Sequence, residues 1–198
     1  MKVVFRVLLL IVVALMMNGC SMVGKERKVD ILNKTGQAVI GNSYLLIYPK
    51  NGVEEDFITK KSVVNENSAE EVVKLFKDKF IKTFGSLTVS EENMNLEKGF
   101  KEAKLRGSNY LIDIEINEWK DASNLFCKYD DKSKKVMTKD SADVTISVYD
   151  VASKAIINKQ RLVGNGCPTL LLNIIPVGAS EPESYFSDLL DEWIKTLY

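Results

Sequence analysis

Apolar residues recur at helical spacing over residues 72–84 and again over 186–197, and they alternate with polar ones over 110–119 and 144–149. The first pattern predicts amphipathic helices and the second half-buried strands. Tyr44 to Tyr48 is a continuous apolar run ending at Pro49, which predicts a short buried strand, and residues 49–67 are charged and loop-like. Ser68 with Glu71 reads as a capping box opening a helix with the stripe Val72, Leu75, Phe76, Phe80 and Phe84, stopped by Gly85. Leu87–Val89 is a short strand candidate, and Ser90 starts a second helix with the face Leu96, Phe100 and Ala103, ending at Gly107. Ile112, Ile114 and Ile116 oppose Asp113, Glu115 and Asn117. Val144, Ile146 and Val148 alternate with Thr145, Ser147 and Tyr149, and a short connection into Ala155–Val163 predicts a hairpin. Pro168 and Pro176 flank the apolar piece Leu170–Ile175, read as a buried segment in preference to an exposed patch for a partner or membrane. A second capping box, Ser180 with Glu183, opens a last helix whose face is Phe186, Leu189, Leu190, Trp193, Ile194 and Leu197. The order β-α-β-α-β-β-β-α predicts one α/β (α+β) domain, a mixed sheet with helices packed on it.

The first residues follow a different logic. Lys2 and Arg6 precede the apolar run Val7–Met17, too short at about 1.5 Å per residue to cross a bilayer core of about 30 Å. The pattern is that of a secretory signal peptide. Asn18-Gly19-Cys20-Ser21 then resembles the bacterial lipobox, where signal peptidase II cuts before a cysteine whose sulfur carries a diacylglyceryl group. That resemblance makes residues 1–19 a lipoprotein signal peptide and Cys20 the lipidated first residue of the mature chain. Met17 stands where leucine is usual and Asn18 where alanine or serine is usual. Plain secretion, with Cys20 incidental, is the competing reading. Ser21 is not aspartate, which by resemblance to the enterobacterial sorting rule favours the outer membrane. Residues 20–41 are polar and mixed, read as a flexible tether with a short element at Val29–Leu32, and 42–198 as the globular domain.

The 198 residues carry 27 basic and 27 acidic side chains, and cleavage would leave 25 against 27. Such balance removes the basic excess that nucleic-acid binding wants. Histidine is absent, which excludes Ser-His-Asp and Cys-His catalysis and every histidine-ligated metal site. With Cys20 acylated, Cys127 and Cys167 are an even pair in an oxidising compartment and are expected to bridge, two free thiols being the alternative. No cofactor motif and no metal-ligand spacing occurs. Asp113 and Glu115, with Glu118, Asp121, Asp130 and Asp131 near in sequence, are the paired-carboxylate candidates for hydrolysis, but half-exposed strands alternate this way routinely. Trp119, Phe126 and Tyr129, beside the lysine-rich stretch 120–140, are the candidate partner-contact loop, with envelope proteins or peptidoglycan as the partners.

Ala103 and Gly107 ahead of Tyr110-Leu111-Ile112, then Ile116 and Trp119 with Asp121, then Asp143–Asp150 and the closing helix to Tyr198, resemble the bacterial lipoproteins of domain of unknown function 4823. The resemblance implies a lipid-anchored envelope protein with no assigned activity. Two functions follow from these readings. The first is a non-enzymatic binding or assembly factor, held by lipid and facing the periplasm from the outer membrane. The alternative is a histidine-free periplasmic hydrolase using carboxylates.

Overall fold

The computed structural model describes residues 26–35, 39, 41, 43–55, 62–121, 129–130, 135–136, 140–166, 169–171, 175–177 and 181–198. Three long strands form its centre: β6 (Tyr110–Lys120), β9 (Asp140–Asp150) and β10 (Ile156–Gly166), each antiparallel to its neighbour. β1 (Glu26–Lys34) closes one edge against β10, while β2 (Tyr44–Leu46) lies parallel to β6 and β5 (Thr88–Val89) parallel to β2. The sheet order is therefore β1-β10-β9-β6-β2-β5, with a hairpin of β3 (Val53–Glu55) and β4 (Ser62–Val64) joined to the far end of β6. Two small ribbons are paired separately from this sheet, β7 (Tyr129–Asp130) with β8 (Lys135–Val136) and β11 (Thr169–Leu171) with β12 (Ile175–Val177). The mixed α+β architecture is the one expected, the parallel pairs arising from crossovers and the antiparallel ones from the hairpin.

Helices α1 (Ser68–Phe84) and α3 (Pro182–Ile194) cover one face of the sheet, and α2 (Leu96–Leu105) covers part of the other. Val72, Phe76 and Phe80 of α1 meet Phe186, Leu190 and Trp193 of α3 above Ile112, Ile114, Val144 and Ile146. α3 lies close on β10 because Gly164 has no side chain: a β-carbon there would come within 2.5 Å of the Tyr185 Cβ. Under α2 sits a smaller cluster of Leu45, Ile47, Ala103, Leu111 and Tyr149. Gly85 (φ 88°) and Gly107 (φ 68°) leave their helices in the left-handed region, where a β-carbon would be strained, so both stops fall where expected.

The helix starts differ from the sequence reading. Asn67, not Ser68, precedes α1, and no side chain caps it. Ser68 is already helical; its hydroxyl accepts from Gly52 N–H at 2.8 Å and donates to Asn65 C=O at 2.9 Å, tying the helix to the loop beneath. α2 opens at Leu96 rather than Ser90, with the Asn95 side chain accepting from Lys98 N–H at 2.9 Å. Ser90 is buried and accepts from Tyr48 N–H at 2.8 Å instead. α3 starts at Pro182 after an extended Glu181, while Ser180 lies outside the described residues. The charged stretch 49–67, read as a loop, contributes β3 and β4.

The first strand also differs from the sequence reading. The element expected at Val29–Leu32 runs from Glu26 to Lys34 and pairs with β10 from Asn165 to Asn158, with a bulge between Ile31 and Asn33. Its Lys28, Asp30 and Lys34 are the charges a sheet edge needs to resist pairing with another chain.

Candidate functional site

Away from α1 and α3, the sheet presents a polar face. On β9, Asp143, Thr145 and Ser147 alternate with the core residues. Their cross-strand neighbours continue the polarity: Asp113 and Lys159 flank Ser147, and Glu115 and Arg161 flank Thr145. Arg161 grips Asp143 with two donors, Nε to Oδ1 at 2.8 Å and Nη2 to Oδ2. Asn117 Nδ2 donates to the same Oδ1 at 3.0 Å and to Thr145 Oγ1 at 3.0 Å. The sequence shows Thr145 and Ser147 only as the polar half of an alternating strand; with Asp143 they are buried, lying on a central strand between longer side chains.

The paired carboxylates behave accordingly. Glu115 is exposed; Asp113 is half-buried, and burial first, then the charge of Glu115, pushes its carboxyl above the usual range, with Lys159 opposing. A carboxyl whose folded-state pKa is raised stabilises the fold while protonated and loses that contribution as pH rises through the folded value. Asp113→Asn is therefore expected to melt higher than the native chain at about pH 7. The two should converge at about pH 3, where both are neutral at this position. Thermal melts across that range check it, and a variant less stable at about pH 7 would show that ionised Asp113 is instead well paired.

At the β9–β10 turn a groove of about 530 Å³ opens against α2, lined among others by Phe100, Lys101, Lys104, Asp150 and Lys154. Lys154 holds φ 59° and sets its ammonium 5.6 Å from the centre of the Phe100 ring. The one carboxylate of the lining, Asp150, accepts from Ser153 Oγ at 2.6 Å and Ser153 N–H at 2.7 Å, which keeps it below the usual carboxylate range. It is engaged in closing the turn and has no carboxyl partner in the groove lining. Among the described residues, no group of three or more Cys, Asp or Glu side chains is placed to hold a metal ion.

The predicted contact residues separate. Trp119 is in the core, a correction to its reading as a partner contact: it is 1% exposed, packs edge-on to Phe186 at 5.8 Å, and donates from Nε1 to Glu71 Oε2 at 2.8 Å. A bulge is the reason. Asn117 is skipped in the β6–β9 register, so Ile116 opposes Val144 but Trp119, not Glu118, opposes the core residue Ala142. Tyr129 belongs to β7, and Phe126 lies outside the described residues, as do Cys20, Cys127 and Cys167. The structure brings together a different carboxyl pair, Glu71 and Glu183, from the first turns of α1 and α3. Burial, and then the neighbouring Glu71 and Glu181, push Glu183 upward. Sequence shows each of them as a helix-start residue and carries no sign that the two starts converge.

That convergence marks one end of the sheet. Glu26 pairs with Asn165 and Lys120 with Ser141, so the chain before β1, the residues after Trp119 and the β10–α3 connection all leave from this end. The groove beside Lys154 is at the opposite end. No helix among the described residues is long and apolar enough to cross a membrane.

Among solved structures, the PelC dodecamer from Paraburkholderia phytofirmans is similar, with 11% identity, a TM-score of 0.58, and coverage of 87% of this chain and 97% of that one. Lipoprotein GNA1162 from Neisseria meningitidis matches at 9% identity and a TM-score of 0.45, over 79% of this chain and 95% of the other. The first of these likenesses is one of fold. No curated protein matches the chain. The model of a domain of unknown function, DUF4823, matches residues 42–197, nearly all of the sheet and every helix described above, and the chain belongs to that family.

Proposed function

We propose that this protein is an envelope lipoprotein, acylated at Cys20, that works by binding or assembling with other envelope components rather than by catalysis. The observation that carries the reading is Gly19-Cys20 placed directly after a charged start and a short apolar run. Several acyl chains on one cysteine anchor stably, at about 0.8 kcal/mol per buried CH₂, where a single chain is marginal. Ser21 favours the outer membrane, with the domain facing the periplasm. The commitments of Asp143, Asp150 and Glu71 to Arg161, Ser153 and Trp119 support a binding role, since each has a structural use. The fold shared with a dodecamer makes self-association the first assembly to look for. Envelope proteins or peptidoglycan are the other partners that this reading admits.

Cys20→Ser is expected to accumulate as unprocessed precursor with no acyl mass on its N-terminal peptide, because no other residue there supplies a thioether. Mature protein of normal size, still in the membrane fraction, would sink the proposal. Density-gradient separation of the two membranes tests the location. The same reading exposes Cys127 and Cys167 to an oxidising compartment. Mass mapping without reductant should then find them joined, closing a loop worth about 3–4 kcal/mol in the chain-entropy model. Full alkylation of both thiols without reductant is the contrary result.

A further inference from the structure

From Leu162 to Ser180 the chain has no Asp, Glu, Lys or Arg, although such residues make up 27% of the whole. Inside this stretch β11 and β12 pair with each other, Leu170 opposite Pro176 and Leu171 opposite Ile175, and neither joins the main sheet. A two-stranded ribbon alone is marginal in water, and an apolar one wants cover.

Where the ribbon stands follows from its two attachments. β11 begins just after Gly166, the end of β10, and β12 ends shortly before Pro182, the start of α3. Both attachments are at the end of the sheet where Glu26 opposes Asn165. The chain from Cys20 to Glu26 spans at most about 20 Å when fully extended. An acyl group on Cys20 therefore holds that end, and the ribbon with it, close to the bilayer surface.

We infer that the β11–β12 ribbon is a second membrane contact, entering the interfacial layer of the bilayer that holds the acyl chains on Cys20. The inference rests on the acylation reading above. A ribbon whose strands, among the described residues, pair only with each other belongs in the interface, because the hydrocarbon centre leaves its outer backbone groups unsatisfied. The contact is apolar, so it needs no anionic lipid and is insensitive to salt. Two attachments in place of one fix the orientation of the domain, with the Lys154 groove turned away from the membrane.

The test uses the full chain, purified from membranes and placed in vesicles of phosphatidylethanolamine and phosphatidylglycerol. The mass of the N-terminal peptide is read first. Leu171→Trp and, separately, Ile175→Trp report from the ribbon, and Ala152→Trp from the opposite end; Trp119 and Trp193 are the common background. Melting curves establish that each variant is folded. With brominated acyl chains in the vesicles, emission added by either ribbon tryptophan should fall about twofold, since interfacial segments sit roughly 5–10 Å into the headgroup and acyl boundary. The Ala152→Trp signal should not change, and raising the salt or replacing phosphatidylglycerol with phosphatidylcholine should leave the quenching in place.

An acylated protein with neither ribbon position quenched overturns the inference and leaves the lipoprotein reading standing. In that case blue-shifted emission would mean that protein covers the ribbon, whether its own domain, a partner or a second copy, and water-like emission that nothing does. A protein without acyl mass overturns both readings.

Discussion

Trp193→Ala is expected to cost about 3–5 kcal/mol, the usual range for removing a fully buried tryptophan. The indole has no exposure and stands 5.6 Å from the Phe76 ring and 6.4 Å from the Phe80 ring, at the seam between α1 and α3. Its Nε1 donates to Asn158 Oδ1 at 3.3 Å, and Asn158 is itself buried on β10. Truncation opens a cavity across three elements and leaves that amide oxygen without its donor. Domains have total stabilities of about 5–15 kcal/mol, so the loss is a large fraction of the whole. At about 2–4 °C per kcal/mol for a chain of this size, the melting temperature should fall by roughly 10 °C. Urea titration of the domain made without residues 1–20 should show a lower midpoint with an unchanged slope. A variant that melts like the native protein but loses a binding partner would make α3 an exposed recognition element, contrary to its burial here.

Trp119→Ala should be comparably damaging, and its comparison with Trp119→Phe separates packing from hydrogen bonding. Alanine removes the ring that packs on Phe186 and leaves Glu71 without the indole donor, at about 3–5 kcal/mol together. Phenylalanine keeps most of the apolar surface and loses the donor, so it should cost about 1–3 kcal/mol. Denaturant midpoints of the two variants give both numbers. Wild-type stability in both, together with a lost partner, would restore Trp119 to the surface role that its place beside the lysine-rich stretch suggests.

Trp119 also shows where reading the sequence stops. The alternation Ile112, Ile114, Ile116 is local, and burial on one side of a strand imposes it directly, so β6 was legible as far as the bulge. Beyond Asn117 the parity reverses, because two residues of β6 answer one of β9, and nothing in Asn117-Glu118-Trp119 marks that. The same limit explains β1. An edge strand with one neighbour needs only a weak stripe, and its protective charges give Glu26–Lys34 the look of a tether. It explains the polar row on β9 as well, since Thr145 and Ser147 are buried by residues of β6 and β10 that are distant in sequence.

By itself, then, the sequence determined the periodic elements α1, α3, β6, β9 and the β9–β10 hairpin. In each, one segment must bury one stripe, and the spacing of that stripe is set by backbone geometry alone. It also contains the family resemblance, spread over residues 103–198, and the Gly-Cys signal, written in contiguous residues. Only tertiary structure decided what depends on which strands become neighbours. The antiparallel register of β1 on β10 brings the start of the domain to the same end as the uncharged ribbon. The approach of α1 to α3 makes a half-buried pair of Glu71 and Glu183, residues that read singly as helix-start carboxylates. Those relations join parts of the chain more than a hundred residues apart, where no local pattern reaches.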